Sequence, residues 1–152
     1  MTQPPLRHLL TANLLQASRN WRRLAQEAMA AHGISDARAA PLIWVSRLGG
    51  GVRQVTLAGH IGIEGPSLVR LLDQLGAAGL IERREDPDDR RAKTIWLTPE
   101  GEAMAARIEM VLTDLRERIF AGISDEEIAA AQRIFDAMSA DHARRAPEAV
   151  TA

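Results

Sequence analysis

The most informative part of the chain is residues 54–98, which read QVTLAGHIGIEGPSLVRLLDQLGAAGLIERREDPDDRRAKTIWLT. Two short helical patterns come first, at 54–60 and 64–78, and a tight turn joins them. The apolar spacing then changes from the period of a helix to that of a strand, which predicts strands at 80–84 and 94–98. The polar stretch between the strands predicts a hairpin with a long charged tip. Helix, turn, helix and hairpin in this order are typical of a winged helix-turn-helix, which is a DNA-binding arrangement.

Two helices are predicted before this segment. Apolar residues recur at helical spacing over 6–31, which predicts a first helix of that length. A second helix is predicted from Asp36 to Leu48, with Ser35 or Asp36 as its N-cap. Pro41 lies inside the second pattern, and because proline bends or interrupts a helix, this helix either bends there or begins later. The glycine run at 49–51 predicts a flexible break.

Two longer helices are predicted after the hairpin. Thr98 and Pro99 have the residue types of an N-cap and a first helical position, and they begin a helix that reaches about Gly122. Ser124 and Glu127 form a capping-box pattern for a last helix that ends near residue 145. The predicted fold is therefore mainly α with a small β-hairpin wing.

Composition excludes several classes of protein. The chain has 152 residues, which is enough for one domain with a hydrophobic core, and no cysteine, which removes disulfides and thiolate metal sites. No apolar run is long enough to span a membrane, and the first residues do not resemble a secretion signal, so we expect a cytoplasmic protein. The glycine run lacks the Lys-Ser/Thr of a phosphate loop, the four histidines lack metal-ligand spacing, and no nucleophile–base pattern is present. We therefore expect no enzyme activity, no metal and no cofactor.

The net charge of −1 conceals a gradient along the chain. Residues 1–46 carry a net charge of +3, residues 47–98 carry +1 and residues 99–152 carry −5. Because the acidic end cancels the basic remainder, the total is uninformative about nucleic acid, and the local placement of arginines has to be considered.

The helix at 64–78 and the hairpin tip contain the residues that we expect to contact DNA. Four leucines of the helix form its inward face, so polar residues point outward, and a proline near its start leaves free N–H groups close to phosphate. Arg70 has the length to reach a guanine edge or a phosphate. The predicted DNA-contacting residues are Pro66, Ser67, Arg70 and Gln74 of the helix and Arg90, Arg91 and Lys93 of the tip. The alternative interpretation is an amphipathic core helix with a solvated outer face and a solvated charge cluster.

Four segments carry a resemblance to a known family, namely 57–75, 79–83, 89–93 and Leu97-Thr98. They resemble the MarR family, and within it the SlyA branch. The branch's Asp-x-Arg wing motif corresponds to Asp89-Arg90-Arg91. The resemblance covers about residues 10–140 in element order and is specific in residue type over 55–101. It implies one winged helix-turn-helix domain over 1–152, with a DNA-binding lobe at 52–98. It also implies a homodimer on a pseudo-palindromic operator, whose interlocking terminal helices lie here at 1–34 and 120–145.

The resemblance also implies an effector, which in the family is often an anionic aromatic compound. Two arginines of the first helix line the effector pocket in the SlyA branch, and they correspond to Arg19 and Arg22 here. Where the branch often has a tryptophan facing the pocket, this chain has Ala39 or Ala40, and Trp44 lies a turn later. The implied ligand is thus a small aromatic carboxylate beside these four residues. The alternative interpretation is that Arg22 and Arg23 form a solvent-facing or dimer-bridging pair.

Three functions remain open on the sequence. The first is a sequence-specific transcriptional regulator. A small anionic molecule would release it from DNA or alter its binding while it stays on DNA. The second is a DNA-organising or counter-silencing protein that needs no ligand. The third is a helical protein–protein interaction module, which would leave Arg70 and the hairpin without a role.

Overall fold

The computed structural model describes residues 5–89 and 91–145, and in this part of the chain it contains six helices and three strands. In chain order these are α1 (Leu6–Ala31), α2 (Asp36–Arg47), β1 (Val52–Arg53), α3 (Gln54–Ile61), α4 (Gly65–Ala77), β2 (Ile81–Glu85), β3 (Lys93–Leu97), α5 (Pro99–Ile119) and α6 (Asp125–Arg145). The described residues form two compact units, one ending at Arg116 and the other beginning at Glu117. None of the described helices is long and apolar enough to cross a membrane.

The predicted mainly α fold with a small β wing is confirmed. Each helix begins and ends within a few residues of its predicted bounds. Pro41 neither delays the start of α2 nor divides it, since the helix runs from Asp36 through the buried proline to Arg47. The missing N–H of Pro41 would have paired with the carbonyl of Ala37, and Ala37 is exposed, so water has access to this carbonyl.

The sheet has one strand more than the sequence predicted. β1 pairs antiparallel with β3, at Val52 opposite Ile95, and the strand order is β1-β3-β2. The prediction of a flexible break at the glycine run is wrong for Gly50 and Gly51, which pack against the Trp96 ring. A Cβ atom at these glycines would lie 2.7 Å and 2.8 Å from the ring, and both have positive φ angles. Only glycine fits this close approach.

The core of the first unit joins the helix-turn-helix to the sheet and to α1, α2 and α5. Its fully buried large side chains are Leu42, Leu57, Leu68, Leu72, Leu75, Ile95 and Ile108. Burial of this set holds α4 in place by its leucine face, and its opposite face is left exposed.

The start of α5 is attached to the turn that precedes β2. The hydroxyl of Thr98 accepts a hydrogen bond from the Gly101 N–H at 3.0 Å and donates one to the Gly79 carbonyl at 2.6 Å. The predicted N-cap at Thr98 is thereby confirmed. A Cβ atom at Gly101 would lie 1.9 Å from the carbonyl oxygen of Leu80, so the two segments touch backbone to backbone.

The second unit contains α6, and its predicted capping box is confirmed. The Glu127 carboxylate accepts a hydrogen bond from the Ser124 N–H at 2.8 Å, and the Glu127 N–H donates to the Ser124 hydroxyl at 3.3 Å. The hydrogen bonds that the Ser124 N–H and hydroxyl donate to the Glu127 carboxylate hold the pKa of Glu127 below its usual range. No described side chain of α6 is buried. Its exposed large apolar residues are Ile128, Ile134, Phe135 and Met138.

Candidate nucleic-acid interface and ligand cavity

The outward face of α4 contains the four residues that the sequence predicted for this helix. Pro66 lies in the first turn, and the N-cap residue, Glu64, makes no side-chain hydrogen bond to that turn. The first N–H groups of α4 are therefore open to an acceptor such as a phosphate oxygen. Ser67, Arg70 and Gln74 are all exposed on the same helix.

Arg70 is an unpaired cation on this face. Its guanidinium makes no hydrogen bond or ion pair with any residue in the described part of the chain, and the same is true of the Ser67 and Gln74 side chains. An arginine held by no partner within the protein keeps all its donors for a base edge or a phosphate.

A salt bridge that the sequence did not predict attaches α4 to the wing, by which we mean the hairpin of β2 and β3. The Arg83 guanidinium lies 2.7 Å from the Asp73 carboxylate and also contacts the Val69 carbonyl at 3.5 Å. The negative charge of Asp73 on α4 is therefore paired with Arg83 on β2. Arg83 holds the two elements together and is not a free cation. The ten-residue separation offers no periodic signal by which this pair could have been predicted.

The base of the wing tip is fixed by a second pair, Arg53 and Asp86. Arg53, on β1, donates from Nε to Asp86 at 2.6 Å, and the Asp88 N–H donates to the same carboxylate at 2.9 Å. Asp86 is only 5% exposed, and the Asp86 N–H closes the loop by donating to the Ala92 carbonyl at 3.2 Å. The hydrogen bond from Arg53 holds the pKa of Asp86 below its usual range and raises the pKa of Arg53.

The basic residues predicted to contact DNA from the wing tip differ in whether a partner within the protein holds their side chains. Arg91 is exposed, and its guanidinium has no partner among the described residues, while its backbone N–H donates to Asp89 at 3.0 Å. Lys93 pairs with Glu85 across the hairpin at 3.3 Å. Arg90 lies outside the described residues.

A cavity of about 300 Å³ lies between α1, α2 and α5 in the first unit. Three of the four predicted ligand residues line it, namely Arg22, Ala39 and Ala40. Arg19 does not belong to this lining, and its guanidinium donates to the Gln16 side chain at 2.8 Å. The two arginines share a broad helix face, but only one of them reaches the cavity.

The wall residues of the cavity that were not among the predicted ligand contacts include Trp21, Asp36 and Trp44. Asp36 reaches the cavity because α2 begins beside α1, which periodicity within one helix cannot reveal. The two tryptophans are aromatic residues at helical spacing, a signal that places each on a helix face but does not assign it to the site.

An arginine guanidinium lies near the ring of each tryptophan. The Arg116 guanidinium lies 5.8 Å from the Trp21 ring centroid, and that of Arg47 lies 5.6 Å from the Trp44 ring centroid. Glu109 accepts hydrogen bonds from both arginines, at 2.9 Å from Arg47 and 3.1 Å from Arg116. Burial by itself raises the pKa of Glu109, but the two arginines outweigh it and hold this pKa below its usual range.

The architecture and the sequence both match known proteins. A family model described as the MarR family matches residues 32–92. The chain is 35% identical to the transcriptional regulator PA3341, with a TM-score of 0.82 over 90% of this chain and 99% of that one. It is 28% identical to a MarR-family transcriptional regulator from Silicibacter pomeroyi, with a TM-score of 0.77 over 90% and 92% of the two chains.

A third solved structure shows the same fold with DNA present. A mutant of MarR from E. coli complexed with operator DNA is 22% identical, with a TM-score of 0.71 over 85% of this chain and 92% of that one. The helix-turn-helix, the wing and the family match over 32–92 agree with each other, and the relative at 35% identity extends the match over nearly the whole chain. This chain belongs to the MarR family of transcriptional regulators.

Proposed function

We propose that this chain is a sequence-specific regulator that binds double-stranded DNA as a homodimer, and that a small anionic aromatic ligand modulates the binding. The observation that carries the proposal is the exposed face of α4, where unpaired Arg70 lies beside a wing that is attached to the same helix through Asp73 and Arg83. In this arrangement α4 enters the major groove, and the wing tip contacts the flanking backbone or minor groove.

The homodimer is supported by apolar surface that one copy leaves uncovered. On α1, Leu6 is 84% exposed and Leu15 is 63% exposed, and α6 has no buried side chain among its described residues. Soluble proteins rarely leave such extended apolar faces in water. A second copy would cover residues 1–34 and 120–145, and its two-fold symmetry would match a pseudo-palindromic operator.

The ligand is supported by the cavity at Arg22. An apolar cavity with few polar groups is the usual form of a small-molecule site, and Arg22 supplies the donors that a carboxylate needs. Ala39 and Ala40 leave room for a ring. We further place the chain in the SlyA branch of the family, on the wing sequence Asp88-Asp89-Arg90-Arg91 and on Arg22 in α1.

The test is equilibrium binding of the purified protein to its own upstream DNA, measured by fluorescence anisotropy with and without competitor DNA. We expect specific binding that is tighter than binding to random sequence by about 10³-fold or more. Benzoate or salicylate at millimolar concentration should then weaken specific binding. Specific binding that no aromatic acid changes would favour a ligand-independent DNA-organising protein, and the absence of any DNA binding would favour an interaction module.

A further inference from the structure

The ligand cavity contains an unpaired anion as well as an unpaired cation. Arg22 of α1 and Asp36 at the start of α2 both line it. Neither side chain makes a hydrogen bond or ion pair with any described residue, and they do not pair with each other. The formal charge of the two groups together is zero, so the site does not simply attract anions.

The rest of the cavity is suited to a single aromatic ring. Trp21, Trp44 and Met29 are among its apolar wall residues. Its volume of about 300 Å³ lies at the lower end of the range for small-molecule sites, about 300–1,000 Å³. Aromatic and thioether side chains pack favourably on the face or edge of such a ring.

A ligand whose only charged group is a carboxylate gives Arg22 a partner but leaves Asp36 without one. Its carboxylate pairs with Arg22, but its ring displaces water from Asp36 without offering a donor, and the two negative charges repel each other. A ligand that adds a protonated amine forms a charge-assisted hydrogen bond with Asp36 and leaves neither protein charge unpaired.

We infer that the cavity selects an amphoteric aromatic compound, with its carboxylate at Arg22 and its amino group at Asp36. The inference rests on the proposed ligand control and narrows its ligand class. Asp36 also has a simpler explanation, because an acid in the first turn of a helix is favourable on its own. That explanation assigns Asp36 to the stability of α2 and gives it no preference between ligands, so the ratio of two ligand affinities separates the two explanations.

The experiment compares two pairs of ligands on the full chain, and the two members of each pair are nearly equal in size. The meta and para isomers of (aminomethyl)benzoate are titrated by calorimetry alongside the matching ethylbenzoates, which replace the charged amine with a methyl group. The variants are Asp36→Asn, Arg22→Gln and, as a matched control outside the cavity, Arg23→Gln, which removes an exposed arginine that pairs with Glu27. Thermal unfolding of each variant establishes that it is folded.

We expect one aminomethyl isomer to bind the natural chain about tenfold or more tighter than its ethyl partner. Asp36→Asn should reduce this ratio to about one, Arg22→Gln should weaken both ligands, and Arg23→Gln should change neither. An ethylbenzoate that binds as tightly as the amine, or a ratio that Asp36→Asn leaves unchanged, overturns the inference but leaves the proposed ligand control standing. If none of the four compounds binds at about 10 mM, the inference is overturned too, and DNA binding is then judged separately by anisotropy.

Discussion

The imidazole of His60 stacks on the indole of Trp44, with ring centroids 4.6 Å apart and ring planes inclined by 28°. Trp44 lines the ligand cavity, whereas His60 belongs to α3, the first helix of the helix-turn-helix. The stack therefore joins a wall of the cavity directly to the DNA-binding elements. A ligand that moves the Trp44 ring acts on α3 through this contact, provided that it favours one of two arrangements of the protein.

The first prediction concerns this link. We expect His60→Ala to leave the affinity for ligand within about threefold and to reduce the ligand's effect on DNA affinity to near unity, whereas coupling between sites is typically about 5- to 150-fold. His60→Phe keeps an aromatic ring on Trp44 and should preserve the coupling. The measurement is the DNA dissociation constant with and without saturating ligand. Equal coupling in the alanine variant and the natural chain would show that the signal takes another route.

The second prediction concerns base recognition by α4. Arg70→Ala should weaken specific DNA binding by about 1–3 kcal/mol and relax the sequence preference at one position of each half-site. The matched control is Arg107→Ala, since Arg107 is an exposed arginine of α5 without a hydrogen bond or ion pair to the described residues. A selection of binding sites from random DNA with both variants measures the effect. Identical selected sequences for Arg70→Ala and the natural chain would remove Arg70 from the interface.

The third prediction concerns the wing tip, where contacts to the phosphate backbone depend on salt and not on sequence. Arg91→Ala should weaken binding to specific and random DNA alike, and should reduce the slope of log K against log salt by about one for each phosphate that is no longer neutralised. The same result is expected for Arg90→Ala. Titrations at four salt concentrations give the slope. A selective weakening of specific binding, with the slope intact, would assign these arginines to base recognition instead.

The sequence predicted those structural features that depend on residues close together in the chain, and missed those that depend on distant residues. The bounds of α1 were predicted because 26 residues of regular apolar spacing are followed by a glycine turn. The exposed face of α4 was predicted for the same reason, since its leucines determine which residues point outward. β1 was missed because two residues cannot show an alternation, and their conformation depends on pairing with β3, which lies about forty residues further along the chain.

The features of the site that were missed are contacts between distant parts of the chain. Arg53 and Asp86 are 33 residues apart and meet only because β1 joins the sheet. Asp36 belongs to the cavity only because α2 begins beside α1. Arg19 and Arg22 illustrate the opposite case, in which helical spacing correctly predicts a shared face but not which of the two reaches the cavity.

The fourth prediction uses the depressed pKa of Asp86. Because this pKa is lower in the folded protein, the ion pair with Arg53 stabilises the fold fully above the unfolded-state pKa of about 3.9, and the stabilisation is lost as the pH falls through the folded-state value. Asp86→Asn should therefore lower the Tm at neutral pH, and this difference should shrink below about pH 4. Asp88→Asn, at an exposed side chain, is the control. A Tm difference that stays constant down to about pH 2.5 would contradict the assignment.

The fifth prediction concerns the homodimer and the exposed apolar residues of α6 in the second unit. Phe135 and Met138 of α6 are 44% and 46% exposed. In a symmetric dimer both copies of each residue would be buried in the interface. Phe135→Glu should therefore weaken the dimer by about 3 kcal/mol or more, and so lower DNA affinity, without unfolding the first unit. Ala140→Glu adds the same charge on the other side of α6 and should leave the dimer intact. Sedimentation equilibrium measures both variants, and a natural chain that is monomeric at about 10 μM would exclude the dimer altogether.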